Sequence, residues 1–133
     1  MSASHINVLL VDDSGTIRRI IRKILGQIGI EKVEEAENGS EALEKLSSES
    51  FRLVISDWNM EPIGGLELLK EIRSNDELKH LPFIMVSSND STKDVITAKE
   101  AGASSYIIKP FTAQNLKFKI QNILKVDFAE PVG

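Results

Sequence analysis

Leu53-Val54-Ile55-Ser56-Asp57 is the stretch that decides the fold, a mostly apolar run that stops on a carboxylate. It does not alternate apolar with polar. A strand of that kind expects cover on both faces, which is the situation in the parallel sheets of α/β proteins. Three further runs share its form. Val8-Leu9-Leu10-Val11 ends in Asp12-Asp13, Phe83-Ile84-Met85-Val86 ends in Ser87, and Tyr106-Ile107-Ile108 ends in Lys109-Pro110. Laid side by side and parallel, they bring three carboxylates, a hydroxyl and a lysine to one edge of the sheet. Open α/β sheets bind ligands at that edge, near the point where strand order reverses.

Working outward, short apolar strands alternate with amphipathic helices five times. The pattern predicts strands over 6–11, 32–36, 53–56, 83–87 and 105–108. It predicts helices over 15–28, 40–47, 65–74, 92–101 and 113–125. Start signals stand before four of them: Ser14, Asn38-Gly39-Ser40, Ser91 with Asp94 three residues on, and Thr112. Gly29 and Gly102 stand just past the first and fourth helices, where a left-handed cap is wanted. The fold class is α/β, a doubly wound five-stranded parallel sheet. No Pro/Gly/Ser-rich linker or second set of elements interrupts it, so one domain is expected over 1–133. Its core should run from about 6 to 126, with a frayed tail from Asp127 to Gly133.

Composition narrows the function classes. A chain of 133 residues buries about two-thirds of its unfolded surface and needs no staples. It has no cysteine, which excludes disulfides and thiolate metal sites. Its opening MSASHIN lacks the features of a signal peptide and no apolar run is long enough for a bilayer, so a cytoplasmic chain with no membrane partner is expected. The net charge of −4 argues against nucleic acid as a partner. The densest basic stretch, Arg18-Arg19-Ile20-Ile21-Arg22-Lys23, lies on a helix with apolar residues at Ile17, Ile20, Ile21, Ile24, Leu25 and Ile28. That spacing puts the isoleucines on one face and the arginines on a solvated opposite face.

The five edge groups suit phosphoryl chemistry. A carboxylate such as Asp57 attacks phosphorus directly and forms an acyl phosphate. A lone strand-end aspartate is as readily a turn or cap residue, and a lone strand-end lysine is ordinary surface. Their joint order argues for more. Asp12 and Asp13, crowded against Asp57, raise one another's pKa unless a cation is present. Mg²⁺ suits an all-oxygen site with one or two carboxylates and a phosphate oxygen. Lys109 brings a compact positive charge and Ser87 a hydroxyl donor. Trp58, the single tryptophan, follows Asp57 and reads as a partly exposed packing residue.

The order Asp12-Asp13, Asp57, Ser87, Lys109-Pro110, with Asp57-Trp58-Asn59-Met60 followed by Gly65-Leu66-Glu67-Leu68-Leu69-Lys70, closely resembles the receiver domain of two-component response regulators in its single-domain, CheY-like form. The resemblance spans roughly residues 6 to 126. It implies the flavodoxin-like strand order 2-1-3-4-5, Asp57 as phosphoacceptor, and a cis Lys109–Pro110 peptide. It implies Mg²⁺ held by Asp13, Asp57 and the backbone carbonyl of Asn59, with Asp12 close by. Lys109 contacts the phosphoryl group, and Ser87 with Tyr106 forms a switch in which the hydroxyl moves toward phosphate and the ring swings inward. The implied activity is signalling, with no catalysis beyond the protein's own phosphorylation and slow dephosphorylation. The implied partners of this monomer are a histidine kinase or phosphotransfer domain, with contacts on the first helix, and a downstream protein target such as the flagellar switch. That target would dock on the fourth helix, fifth strand and fifth helix, with Lys93, Thr97, Ser104, Lys117 and Lys119 as exposed neighbours. Chemotaxis is the expected setting; a phosphate sink and a phosphorelay shuttle stay open beside it.

The chain departs from the family pattern in one loop. Glu61 stands where relatives commonly carry Pro, Pro62 is shifted by one, and Gly64 replaces an Asp before Gly65. Two adjacent glycines predict a flexible start to the third helix. Two other classes compete. A flavodoxin-like cofactor binder wants a hydroxyl-rich turn after the first strand, faintly echoed in Asp13-Ser14-Gly15-Thr16, but two carboxylates at its mouth repel a flavin phosphate. An aspartyl-phosphate hydrolase wants Asp-x-Asp there, which Asp12-Asp13-Ser14 does not supply.

Overall fold

The computed structural model describes residues 6–124. Five strands alternate with five helices in chain order: β1 (Asn7–Val11), α1 (Gly15–Gln27), β2 (Lys32–Ala36), α2 (Gly39–Ser48), β3 (Leu53–Asp57), α3 (Gly65–Ser74), β4 (Phe83–Ser87), α4 (Thr92–Ala101), β5 (Ser105–Ile108) and α5 (Ala113–Leu124). The strands form one parallel sheet in the order β2-β1-β3-β4-β5. Fold class and every expected element are as the pattern predicts, with ends shifted by a residue or two, and the strand order is the one the resemblance implies. The predicted last turn at 125, the core limit at 126 and the tail from 127 to 133 lie outside the described residues.

β3 and β4 are buried at all five positions, which is why they read as uninterrupted runs. The sheet is covered on both faces. One layer packs Val8, Leu10, Leu53, Ile55, Ile84 and Val86 against α1 and α5 through Ile21, Leu25, Leu116 and Ile120. The other packs Leu9, Val11, Val54, Phe83 and Met85 against α2, α3 and α4 through Ala42, Leu68, Leu69, Ile72 and Ala98. Successive side chains of one strand enter opposite layers, as a two-residue period requires. None of the described helices is long and apolar enough to cross a membrane.

Local chemistry sets the ends. Ser14 Oγ accepts from Ile17 N at 3.3 Å, Asn38 Oδ1 from Glu41 N at 2.9 Å, Ser91 Oγ from Asp94 N at 3.2 Å and Thr112 Oγ1 from Asn115 N at 3.0 Å. Each satisfies an amide that the first helical turn leaves unpaired. Gly102 ends α4 at φ 106° and Gly29 follows α1 at φ 93°.

Two expectations about α1 need correction. Ile20 is 47% exposed and stays out of the core that Ile21 and Leu25 enter. The opposite face is more than solvated: Arg18 Nε and Arg22 Nη1 grip the two oxygens of Glu35 on β2 at 2.8 and 2.6 Å. β2 is one of the two edge strands, Lys-Val-Glu-Glu-Ala, with only Val33 and Ala36 buried. It is the one strand that does not read as a continuous apolar run, because its side chains reach water at the sheet margin.

Candidate functional site

The carboxyl ends of β1, β3, β4 and β5 deliver their terminal residues to a single edge. Strand pairing persists to that edge: Trp58 N donates to Val86 O at 3.0 Å and Lys109 N to Ser87 O at 2.8 Å. Asp12, Asp13 and Asp57 each present a carboxylate oxygen, all within 4.8 Å of one another. Lys109 Nζ donates to Asp57 Oδ1 at 3.0 Å and stands 3.5 Å from Asp12 Oδ2. Asp12, Asp57 and Ser87 are buried, whereas Asp13 is exposed. Asn59 lines, with Asp13, Trp58, Met60, Glu61, Gly64 and Glu67, a cleft of about 480 Å³ beside the carboxylates. All the expected site residues therefore gather in one place, with Tyr106 at its flank.

The electrostatics follow from crowding. Burial pushes the Asp12 carboxyl above its ordinary range, and the Asp57 charge adds to the rise against the opposing Ser14 amide and Lys109. Burial acts to lower the Lys109 pKa, but the hydrogen bond to Asp57 and the charges of Asp12 and Asp57 outweigh it, so the ammonium is held above its usual value. One lysine against three carboxylates leaves a local excess of negative charge. Three convergent carboxylates with room beside them form a hard, all-oxygen donor set, which fits a cation such as Mg²⁺.

Packing explains the loop between β3 and α3. A Cβ on Gly65 would lie 2.2 Å from the Asp57 carbonyl oxygen and 3.0 Å from Met85 Sδ. One on Gly64 would lie 3.0 Å from the Trp58 carbonyl oxygen. Gly65 N donates to Trp58 O at 2.8 Å and Gly64 N to Glu67 Oε2 at 3.1 Å. Against the expected flexibility, both glycines are buried and closely packed, and at Gly65 no side chain fits without a backbone shift. Just before these glycines, Gly39 N donates to Ile63 O at 2.8 Å, docking the loop on the start of α2. The Glu61–Pro62 peptide is cis, which nothing in the sequence indicated; Lys109–Pro110 is cis as the resemblance implies.

Tyr106 is buried beside the site. Its ring meets Trp58 edge-on, centroids 6.1 Å apart, and its hydroxyl donates to Asn89 O at 2.8 Å. Asn89 N in turn donates to Ser87 Oγ at 3.0 Å. Ser87, Asn89, Tyr106 and Trp58 are thereby one connected set. Of the residues expected around this face, Lys93 and Ser104 are exposed, but Thr97, Lys117 and Lys119 are half-buried. Ser104 precedes β5, where its Oγ accepts from Phe83 N at 3.0 Å, so it belongs to the opposite edge of the sheet. Arg18 was missed as a site neighbour. It donates through Nη1 to the Asp12 carbonyl oxygen, a contact between α1 and the β1 end that sequence spacing alone does not signal.

A family model for the response regulator receiver domain matches residues 8–121. The chain is 41% identical over 121 residues to chemotaxis protein CheY-3 of Vibrio cholerae, covering 91% of this chain and 93% of that protein. It is 47% identical over 118 residues to chemotaxis protein CheY1 of Helicobacter pylori, covering 88% of this chain and 95% of that one. Among solved structures it superimposes on Vibrio cholerae CheY4 with a TM-score of 0.83 at 34% identity, over 90% of this chain and 98% of the other. These likenesses favour the receiver over the flavodoxin-like and hydrolase alternatives. The chain belongs to the response regulator receiver domain family and is CheY-like.

Proposed function

We propose that Asp57 accepts a phosphoryl group from a histidine kinase or phosphotransfer domain, and that this event switches a protein-binding face. The observation that carries the reading is the convergence of Asp12, Asp13 and Asp57 within 4.8 Å with Lys109 Nζ 3.0 Å from Asp57. A carboxylate oxygen of Asp57 forms the new bond to phosphorus. The bond from phosphorus to the donor nitrogen breaks, and its electron pair leaves with the donor. Lys109, held protonated by its neighbours, meets the negative charge of the arriving group. Asp12, Asp13, Asp57 and the Asn59 carbonyl would hold Mg²⁺, which supplies neutralising charge to the phosphoryl oxygens. The residues do no other chemistry in this reading; the protein is a phosphoacceptor working in the cytoplasm, not an enzyme on an outside substrate.

The donor is placed on α1, where an apolar cleft lined by Ile17, Ile20, Pro110 and Phe111 adjoins Lys109. The output face is placed on α4, β5 and α5. Ile96, Ile108 and Phe118 are exposed there, one on each element, which suits the apolar side of an amphipathic partner helix. A hydrogen bond from Ser87 to the phosphoryl group would tighten the Ser87–Asn89–Tyr106 set and favour the inward ring. Phosphorylation need only bias an equilibrium: a tenfold gain in partner affinity takes about 1.4 kcal/mol. The downstream target in this reading is a protein of the chemotaxis machinery such as the flagellar switch.

The test is Asp57→Asn with acetyl phosphate as donor. The wild-type protein should gain one phosphoryl group by intact mass, and the variant, folded by circular dichroism, none. Stoichiometric labelling of the variant would move the phosphoacceptor elsewhere.

A further inference from the structure

We infer that Arg18 is a positioning residue for the cation site, holding the Asp12–Asp13 peptide through a strap that runs from α1 to β2; the inference rests on the reading of that cluster as a Mg²⁺ site. The backbone of Asp12 is held at both ends. Its amide donates to Ala36 O on β2 at 3.1 Å, and its carbonyl oxygen accepts from Arg18 Nη1. The same guanidinium donates through Nε to Glu35 Oε1 at 2.8 Å, so Glu35 fixes the fork that fixes the carbonyl. Arg18 N also donates to Ser14 O at 3.0 Å, and Ser14 N to Asp12 Oδ1 at 2.8 Å, which closes the turn on itself.

The carbonyl in question belongs to the peptide plane that joins Asp12 to Asp13. Rotating that plane redirects the Cα–Cβ bond of Asp13. The Asp13 carboxylate is exposed and takes no hydrogen bond from any described residue, so its own side chain does not anchor it. Its position relative to Asp12 and Asp57 is set by the backbone, and Arg18 is the side chain that grips that backbone. Arg22 makes a useful contrast. It binds Glu35 Oε2 at 2.6 Å but makes no bond to Asp12. Arginine is needed for this task because one planar fork reaches a carbonyl and a carboxylate together. Partners that orient the groups around a metal typically cost ten- to a hundredfold in metal affinity when removed.

Charge alone predicts the reverse sign. Removing a cation beside three carboxylates should tighten Mg²⁺ binding, whereas loss of positioning should weaken it. The experiment is a Mg²⁺ titration followed by Trp58 fluorescence, since Trp58 lines the same cleft as Asp13, with thermal unfolding recorded for each protein. Arg18→Met should raise the Mg²⁺ Kd about tenfold. Arg18→Lys, which keeps the charge but cannot serve both acceptors, should weaken binding less and gives a second reading should Arg18→Met fold poorly. Arg22→Met should leave the Kd near the wild-type value. An unchanged or lower Kd in both Arg18 variants, with only the melting temperature reduced, overturns the inference and makes Arg18 a stability residue. A wild-type protein whose Mg²⁺ titration is silent by fluorescence and by calorimetry overturns the cation-site reading itself, and this inference with it.

Discussion

Arg73 carries a charge with no carboxylate partner among the described residues, and three backbone carbonyls hold it instead. Nε donates to Gly102 O at 3.0 Å, and Nη1 to Leu81 O at 2.7 Å and Lys79 O at 3.1 Å. Burial alone lowers its pKa, so the carbonyls accept a charge that has lost part of its hydration. The contacts join the end of α3 to the approach to β4 and the end of α4. A Cβ on Gly102 would lie 2.9 Å from Arg73 Nε, so the positive-φ glycine also leaves room for this clamp. Arg73→Ala should cost about 2–3 kcal/mol, because bonds from a charged donor are worth more than neutral ones, and urea unfolding will measure it. A loss below about 0.5 kcal/mol would make the clamp a surface ornament. In the sequence Arg73 reads as one more polar residue of an amphipathic helix. Carbonyls at positions 79, 81 and 102 come to it only through folding.

At the scale of elements, α3 begins where it does because its first turn is pressed against the end of β3. Gly65→Ala would drive a methyl group into the Asp57 carbonyl, and backbone has little room to yield. The expected outcome is a loss of about 1–3 kcal/mol, the range for overpacking, together with slower labelling by acetyl phosphate. Unfolding curves and mass spectra on the same sample separate the two effects. α1 and β2 are coupled differently, by charge. Burial acts to raise the Glu35 pKa, but the hydrogen bonds from Arg18 and Arg22 outweigh it, and the net effect holds the carboxyl below its ordinary value. A lowered folded-state pKa means the pair's contribution is present above pH 4.5 and is lost as pH falls through the folded value. Thermal unfolding of wild type and Glu35→Gln should therefore differ at neutral pH and converge in acid. A constant gap at all pH values would assign the difference to packing.

Across the whole molecule, the site and the proposed output face are joined by one short hydrogen-bonded segment. Ser87 Oγ, Asn89 N and O, and Tyr106 Oη follow one another within 3.0 Å steps, and Trp58, next to Asp57 in the chain, meets the Tyr106 ring edge-on. Adding beryllofluoride and Mg²⁺ to the labelled protein should shift amide resonances across 90–119. Shifts confined to the acidic cluster and Lys109 would uncouple the face from the site.

How much was legible in the sequence depends on the distance over which each feature is encoded. Burial on both faces leaves a mark in a strand's own residues, so β1, β3, β4 and β5 could be read as apolar runs and their last residues as neighbours. Caps are local too, and Ser14, Asn38, Ser91 and Thr112 fulfil them with side chains three residues from their amides. Strand order and the gathering of Asp12, Asp57 and Lys109 were legible only through family resemblance and the shared edge. Composition carries no record of which strands are adjacent. The rest depended on tertiary contact. A glycine looks permissive in sequence, and only the Asp57 carbonyl 2.2 Å from its missing Cβ shows that Gly65 is required. The arginines of α1 look solvated until β2 places Glu35 beneath them. Secondary structure is set by interactions within a few residues, whereas a packed interior is set by whichever surfaces the fold brings together.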